Sequence, residues 1–272
     1  MRFGAPGATP LVFSHANGFC ASAYRQALSA IRDHDVFAID LRGHGRSQLP
    51  CAPARGPLWR RHANDIAASL DAIRRDFSIG APAVLGGHSL GAVASAMAAA
   101  GRSDIAALRL IEPVATPEQY RYLAMTPLWG LFADAMPLAR AARRRRPHFG
   151  SRADAAAAYA GKSLFRRFAP GALDDYLDDG LTEDAGGFRL SCPPSWEAAN
   201  FTATDNDFWS AVRRRTAPLA VLAADDASST LFADAPARLH RHGAVVRLES
   251  GVSHLLPMEA PERAARFLAT GE

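Results

Sequence analysis

Short apolar runs ending in turn residues alternate with helical stretches along the first part of the chain and again near its end. Leu11–His15, Val36–Asp40, Ala83–Gly87, Leu108–Glu112, Leu219–Ala223 and Ala244–Leu248 are too short and too evenly apolar for amphipathic helices. They suit strands buried on both faces. Between them, Ala21–Arg32, Leu58–Phe77, Gly91–Gly101, Ser229–His240 and Pro261–Ala269 carry helix-compatible residues. Strands alternating with helices imply parallel crossovers, so the expected fold class is α/β, a doubly wound, mostly parallel sheet with helices on both faces.

The alternation stops from about Pro113 to about Thr216. This stretch is proline-rich, holds amphipathic pieces such as Ala153–Phe168 and Leu173–Leu181, and contains no run of the buried-strand kind. A compact domain does not tolerate a structureless loop of that length. A mainly helical cap is therefore expected, inserted after the strand that follows the helix at Gly91. The predicted organisation is a core formed by residues 1–113 and 216–272, with residues 114–215 as the cap. A chain of 272 residues is long enough for such a core and lid.

Composition narrows the partners. The net charge is +4, carried almost wholly by arginine, with Lys162 the lone lysine. The densest basic run, Arg143–Arg146, has no interleaved aromatic residues on which bases could stack. It reads as a solvated surface stretch, and no nucleic-acid partner is expected. Three cysteines, Cys20, Cys51 and Cys192, are odd in number and form no C-x-x-C pair, which suggests a reducing compartment. The N-terminal residues lack the apolar core of a signal peptide, and no window approaches the roughly 18 apolar residues of a membrane span. A cytoplasmic location without a membrane partner is the expectation. No histidine-rich or cysteine-rich ligand spacing is present, so no metal or other cofactor is expected.

Chemistry concentrates at Gly87-His88-Ser89-Leu90-Gly91, which fits G-x-S-x-G between an apolar run and an alanine-rich helix. Such a strand-to-helix turn lifts a strained serine above the carboxyl edge of the sheet, while the glycines avoid side-chain clashes. The helix that follows aims free N–H groups at the same spot. Ser89 is the candidate nucleophile. A serine hydroxyl needs a base within hydrogen-bond reach, and nine histidines compete for that role. His254 follows the last strand run and precedes the final helix, so it can descend onto the same edge. His88 adjoins Ser89, but neighbours on a tight turn point apart, which leaves it packed in the core or lining the substrate pocket.

In combination, His15-Ala16-Asn17-Gly18-Phe19, Asp40-Leu41-Arg42-Gly43-His44-Gly45-Arg46-Ser47, the serine turn and Gly251-Val252-Ser253-His254 make the sequence resemble the α/β-hydrolase superfamily. The likeness covers nearly the whole chain apart from the insertion, and His254 matches the superfamily's histidine. One departure is visible. Few residues precede Leu11, leaving little room for the superfamily's opening antiparallel hairpin, so about six main strands are expected.

The resemblance implies an acid partner for His254, and two positions compete. In Ala224-Asp225-Asp226-Ala227 the aspartate falls one residue short of the usual place, leaving Asp226 or, less well placed, Asp225. The alternative is Glu112, at the end of the strand after the nucleophile helix, where some superfamily members take their acid. By the same resemblance the oxyanion donors are the backbone N–H groups of Leu90 and Asn17, with His15 buttressing their loop and His44 in a structural turn flanked by Arg42 and Arg46. The Asn17 side chain can face substrate or cap a turn. Trp129 and Trp196, with Phe132, Met136, Phe165, Phe168, Tyr176 and Phe201, either line an apolar acyl pocket or fasten the cap to the core.

The expected function is a serine hydrolase, carboxylesterase-like, that cleaves a small acyl ester or lactone through an acyl-enzyme. The substrate is expected to be a small molecule with an apolar acyl group. A carbon–carbon hydrolase of ring-cleavage products or a cofactor-free haloperoxidase-like enzyme is the alternative within the fold. A ligand-binding module without turnover is the alternative outside enzymes. The oligomeric state stays open, a homodimer included.

Overall fold

The computed structural model describes every residue except 53–55, 120–125, 127–128 and 233. Ten strands are described: β1 (Arg2–Gly4), β2 (Thr9–Ser14), β3 (His34–Ile39), β4 (Ala83–His88), β5 (Ile105–Ile111), β6 (His148–Phe149), β7 (Leu181–Asp184), β8 (Gly187–Leu190), β9 (Leu219–Ala224) and β10 (Val245–Glu249). Seven of them form one sheet in the order β1-β3-β2-β4-β5-β9-β10. Every pairing in it is parallel except that of β1 with β3.

All six expected runs are strands of this sheet; five are largely covered on both faces, whereas the edge strand β10 leaves Val245 and Leu248 exposed. Along β2, Leu11 and Phe13 enter the cluster containing Tyr24, Leu28 and Phe267. Val12, between them, enters the opposite cluster with Trp59, Leu85 and Val93. The helix Leu90–Ala99 is buried along almost its whole length, and its alanines let it pack between the sheet and the helix Leu58–Asp76.

The sheet has seven strands rather than about six. Residues 2–4 pair with 35–37 of β3, and the Arg2 guanidinium grips Asp35 through two hydrogen bonds of 2.8 and 2.7 Å. A three-residue edge strand is too short to carry a periodic signature, so it was not legible. Two helices also differ from expectation. Ala21–Arg32 resolves into a 3₁₀ turn, Ala21–Tyr24, and a helix, Arg25–Ser29. The helix expected from Ser229 begins only at Ala235, because residues 228–230 hydrogen-bond to carboxylates instead of continuing a helix.

Between β5 and β9 lie several short helices, as expected, but also a three-stranded antiparallel sheet, β6-β8-β7. The segment is anchored on the core at many points. Arg25 pairs with Asp175 and Asp178, Arg46 with Asp179, and the Trp196 indole donates to the Arg42 carbonyl. Among the described residues, no helix is long and apolar enough to cross a membrane.

Strand order changes direction at β2 and β4, since β3 lies to one side of this pair and β5, β9 and β10 to the other. At such a switch point the loops leaving two adjacent strands diverge and open a crevice at the carboxyl edge. Residues 15–18 leave β2 there and Ser89 leaves β4.

Candidate active site

Ser89 caps the helix Leu90–Ala99 with φ 55° and ψ −113°, a conformation side chains other than glycine rarely adopt. Only small neighbours permit the turn. A Cβ on Gly91 would stand 2.2 Å from the Ser14 carbonyl oxygen and 2.5 Å from that of His15, and one on Gly87 would stand 2.6 Å from the Gly91 carbonyl. The Ser89 N–H donates to Ile111 O at 3.0 Å, tying the turn to β5. Among the described residues, three non-glycine residues have positive φ: Ser78, Ser89 and Glu112. Two of the three therefore belong to this site, as strained residues often do.

Glu112 follows β5 directly and is fully buried. Its carboxylate accepts only from donors. Oε1 takes the Ala224 N–H at 2.5 Å, and Oε2 takes the Thr230 N–H at 2.8 Å, Thr230 Oγ1 at 3.1 Å and Ser229 Oγ at 3.2 Å. The fifth partner is His254 Nδ1, 3.1 Å from Oε2. Burial alone would raise the Glu112 pKa. The hydrogen bond and charge of His254, with the Thr230 and Ala224 N–H groups, overcome that and hold it below the ordinary glutamate value.

Asp226 does not reach the imidazole. Its carboxylate accepts from Ser228 N at 2.8 Å and Ser228 Oγ at 2.5 Å, and Ser228 Oγ in turn accepts the His254 N–H at 2.9 Å. Asp226 thus braces the loop that carries His254 rather than its ring. Asp225 is exposed, and its backbone N–H continues the sheet to Glu249 O. Of the three acid candidates, the fold brings Glu112 to His254.

Where the sequence left His88 packed or pocket-lining, it is packed. It is fully buried, and its ring lies 4.9 Å from that of His254. His88 Nε2 is 2.8 Å from the His254 carbonyl, which can only accept, so this nitrogen carries the proton. Burial keeps the ring neutral, so Nδ1 accepts from the Tyr24 hydroxyl at 2.7 Å, and that oxygen accepts the Ala16 N–H at 3.0 Å. A buried chain of hydrogen bonds therefore joins the loop after β2 to the backbone of His254. Among the described residues, no hydrogen bond closes between Ser89 Oγ and His254 Nε2; such bonds commonly tighten only with substrate.

The loop after β2 is held on all sides. The Gly18 N–H donates to His44 Nε2 at 3.1 Å, while His44 Nδ1 donates to Arg42 O at 2.9 Å. His15 accepts the Leu41 N–H at 2.9 Å. His44 thus does more than shape its own turn: it ties that turn to the loop. Among the described residues, neither the Asn17 N–H nor the Leu90 N–H meets a protein acceptor, though the N–H groups on both sides of Asn17 are occupied. Its side chain is buried and held by partners distant in sequence. Asn17 Nδ2 donates to Glu197 O at 2.9 Å, and Oδ1 accepts from Asn200 Nδ2 at 3.0 Å.

Trp196 is fully buried against Leu58 and Cys192, so it fastens the segment between β5 and β9 to the core rather than lining a pocket. Trp129 is half-buried, and its indole N–H donates to Thr202 O at 3.1 Å within that segment. Phe165 and Tyr176 are buried, whereas Phe132 is exposed. The basic run is not uniformly solvated. Arg145 turns inward to Glu197 at 2.5 Å and to the hydroxyls of Tyr176 and Tyr159 at 2.6 and 2.9 Å. Sequence reasoning passed over Asn200 and Glu197, since neither sits in a motif, and took Arg145 only as one member of a solvated basic run. For Asn200 and Glu197 the one signal was their type: polar residues among Trp196, Ala198, Ala199 and Phe201.

A seven-stranded α/β sheet with a glycine-flanked serine turn at its switch point defines the class. A model of the alpha/beta hydrolase family matches residues 11–267, and the chain belongs to that family. Solved structures resemble it over nearly its full length. An E-2-(acetamidomethylene)succinate hydrolase superposes with a TM-score of 0.74 at 22% identity, covering 97% of this chain and 91% of that one. A thermophilic esterase from Thermogutta terrifontis gives 0.65 at 22% identity, with 98% and 89% covered. The enol-lactonase from Burkholderia xenovorans LB400 gives 0.63 at 20%, with 100% and 93% covered. At these identities the likeness carries the fold. No curated protein matches the sequence.

Proposed function

We propose that the protein is a serine hydrolase that cleaves a small acyl ester or lactone through an acyl-enzyme. One observation carries the reading: His254, on the loop after the last strand and in ring contact with the neighbour of Ser89, gives Nδ1 to a buried carboxylate at 3.1 Å. That bond fixes the tautomer with a free Nε2 turned to accept a proton. Ser89 Oγ attacks the carbonyl carbon as its proton passes to His254, and Glu112 stabilises the imidazolium. The oxyanion meets the N–H groups of Leu90 and Asn17, whose free state in this fold suits that role. His254 then protonates the leaving group. Water, activated by the same imidazole, attacks the acyl carbon and releases Ser89.

Residues 114–215 act in this reading as a cap that selects a substrate with an apolar acyl group. The three cysteines are unpaired, and burial pushes the Cys20 thiol up to about 12, in keeping with a structural role in a reducing, cytoplasmic setting.

Labelling with a fluorophosphonate followed by peptide mapping tests the nucleophile. The label is expected on Ser89 and absent from Ser89→Ala, which also loses turnover of p-nitrophenyl acetate and butyrate. Turnover retained by Ser89→Ala would overturn the proposal. A panel of acyl esters, lactones and ring-cleavage products then decides the bond cleaved, with fastest turnover expected on an ester or lactone.

A further inference from the structure

We infer that Asn200, far from Ser89 in sequence and in no motif, is a positioning residue that sets the oxyanion donor through the side chain of Asn17. The inference rests on the reading above, in which the Asn17 N–H faces the oxyanion.

The hydrogen bonds around Asn17 run in one direction, and their ends determine it. Glu197 O can only accept, so Asn17 presents Nδ2 to it at 2.9 Å. Oδ1 of Asn17 must then accept from Asn200 Nδ2, at 3.0 Å. The remaining amide oxygen of Asn200 accepts from His62 Nε2 at 3.1 Å. Asn200 is 1% exposed and His62 fully buried, so neither amide can turn without stranding a polar group away from water. His62 stays neutral because burial lowers its pKa to about 4, which keeps one nitrogen free of a proton.

The neighbouring residue is held from the same side. Tyr176 donates its hydroxyl to Gly18 O at 3.3 Å. Glu197 packs so closely on Gly18, at φ 76°, that a Cβ there would lie 2.6 Å from its carboxylate. Tyr176, Glu197 and Asn200 all come from the segment between β5 and β9, while Asn17 and Gly18 belong to the core. The core supplies the donor and the inserted segment aims it. A loop anchored only by core residues would not need an asparagine with both amide ends engaged across that boundary.

An oxyanion donor acts on the transition state, so tilting it lowers kcat and leaves substrate binding largely intact. The test compares Asn200→Ala, Asn17→Ala and the double variant in the full chain, using p-nitrophenyl butyrate and affinity for an aryl trifluoromethyl ketone, which forms a tetrahedral adduct. Arg25→Gln is the structural control. It removes ion pairs to Asp175 and Asp178, so it loosens the same segment without touching residues 15–18. Asn200→Ala is expected to lower kcat about 10- to 100-fold with KM little changed, and to weaken the ketone by a similar factor. The double variant is expected to be no slower than Asn17→Ala alone, because both act through one group. Arg25→Gln is expected to lower the melting temperature and keep kcat.

Wild-type kcat in Asn200→Ala, or losses that multiply in the double variant, would overturn the inference. Should Asn200→Ala fail to fold, the isosteric Asn200→Asp, which sets an oxygen against Asn17 Oδ1, must show the same kcat loss. Ser89→Ala run alongside separates the two claims. If it is inactive while the Asn200 variants are normal, only the positioning role fails; if it is active, the serine reading itself fails.

Discussion

Replacing Glu112 by glutamine tests the acid assignment most sharply, because every partner of its carboxylate is a donor. Four donors meet Oε2, including His254 Nδ1 at 3.1 Å, and the Ala224 N–H meets Oε1 at 2.5 Å. An amide can keep the crowded side only by turning its NH2 group toward the Ala224 N–H. That loses one buried hydrogen bond and costs about 1–3 kcal/mol of stability. The catalytic effect is separate and larger. With this hydrogen bond made, the imidazolium and carboxylate charges sit about 4 Å apart, an attraction of about 4 kcal/mol at an effective dielectric of 20. Removing it lowers kcat by about three decades. Asp226→Asn touches only the Ser228 turn and is expected to stay within about tenfold of wild type. Steady-state hydrolysis of p-nitrophenyl butyrate by both variants, each checked for folding by urea denaturation, decides the matter. A Glu112→Gln enzyme close to wild type beside a crippled Asp226→Asn would refute the assignment.

Two further outcomes follow from buried groups. Burial lowers the pKa of His15, His44, His62 and His88, His62 to about 4, so they stay neutral in the folded chain while the unfolded chain takes up protons below about 6.5. Stability is therefore full above that pH and falls as pH drops, His62 alone accounting for about 3 kcal/mol by pH 4; a urea midpoint unchanged between pH 7.5 and pH 5 would contradict this. Gly91→Ala forces a Cβ to 2.2 Å from the Ser14 carbonyl and is expected to cost about 2 kcal/mol or more, whereas Gly161→Ala meets nothing within 4 Å and should melt at or above wild type. Equal melting temperatures for the two variants would show that the packing under the serine turn is looser than these distances imply.

How much was legible in the sequence depends on how local each signal is. Five of the six runs were readable because a strand covered on both faces must be apolar throughout, whatever its neighbours; the sixth, β10, is apolar in sequence though it lies exposed at the sheet edge. The serine turn was readable because a backbone at φ 55° between two tight contacts accepts few residue types. His254 was readable from its place after the last strand run. The three-residue β1 and the small sheet β6-β8-β7 escaped because strands that short carry no period.

What the chain could not state locally was which distant partners meet. Glu112 and Asp226 are both acids at strand ends, and only the packing of β5 against β9 puts the former under the imidazole. Arg145 resembles its three neighbours in sequence, yet it turns inward to Glu197. Trp196 and His88, which the sequence left open between a pocket and a packed position, are enclosed on every side. A strand's hydrophobic pattern or a turn's steric demand is written within a few residues. A buried hydrogen bond between residues more than a hundred apart is decided by how the layers stack, and only the folded chain records it.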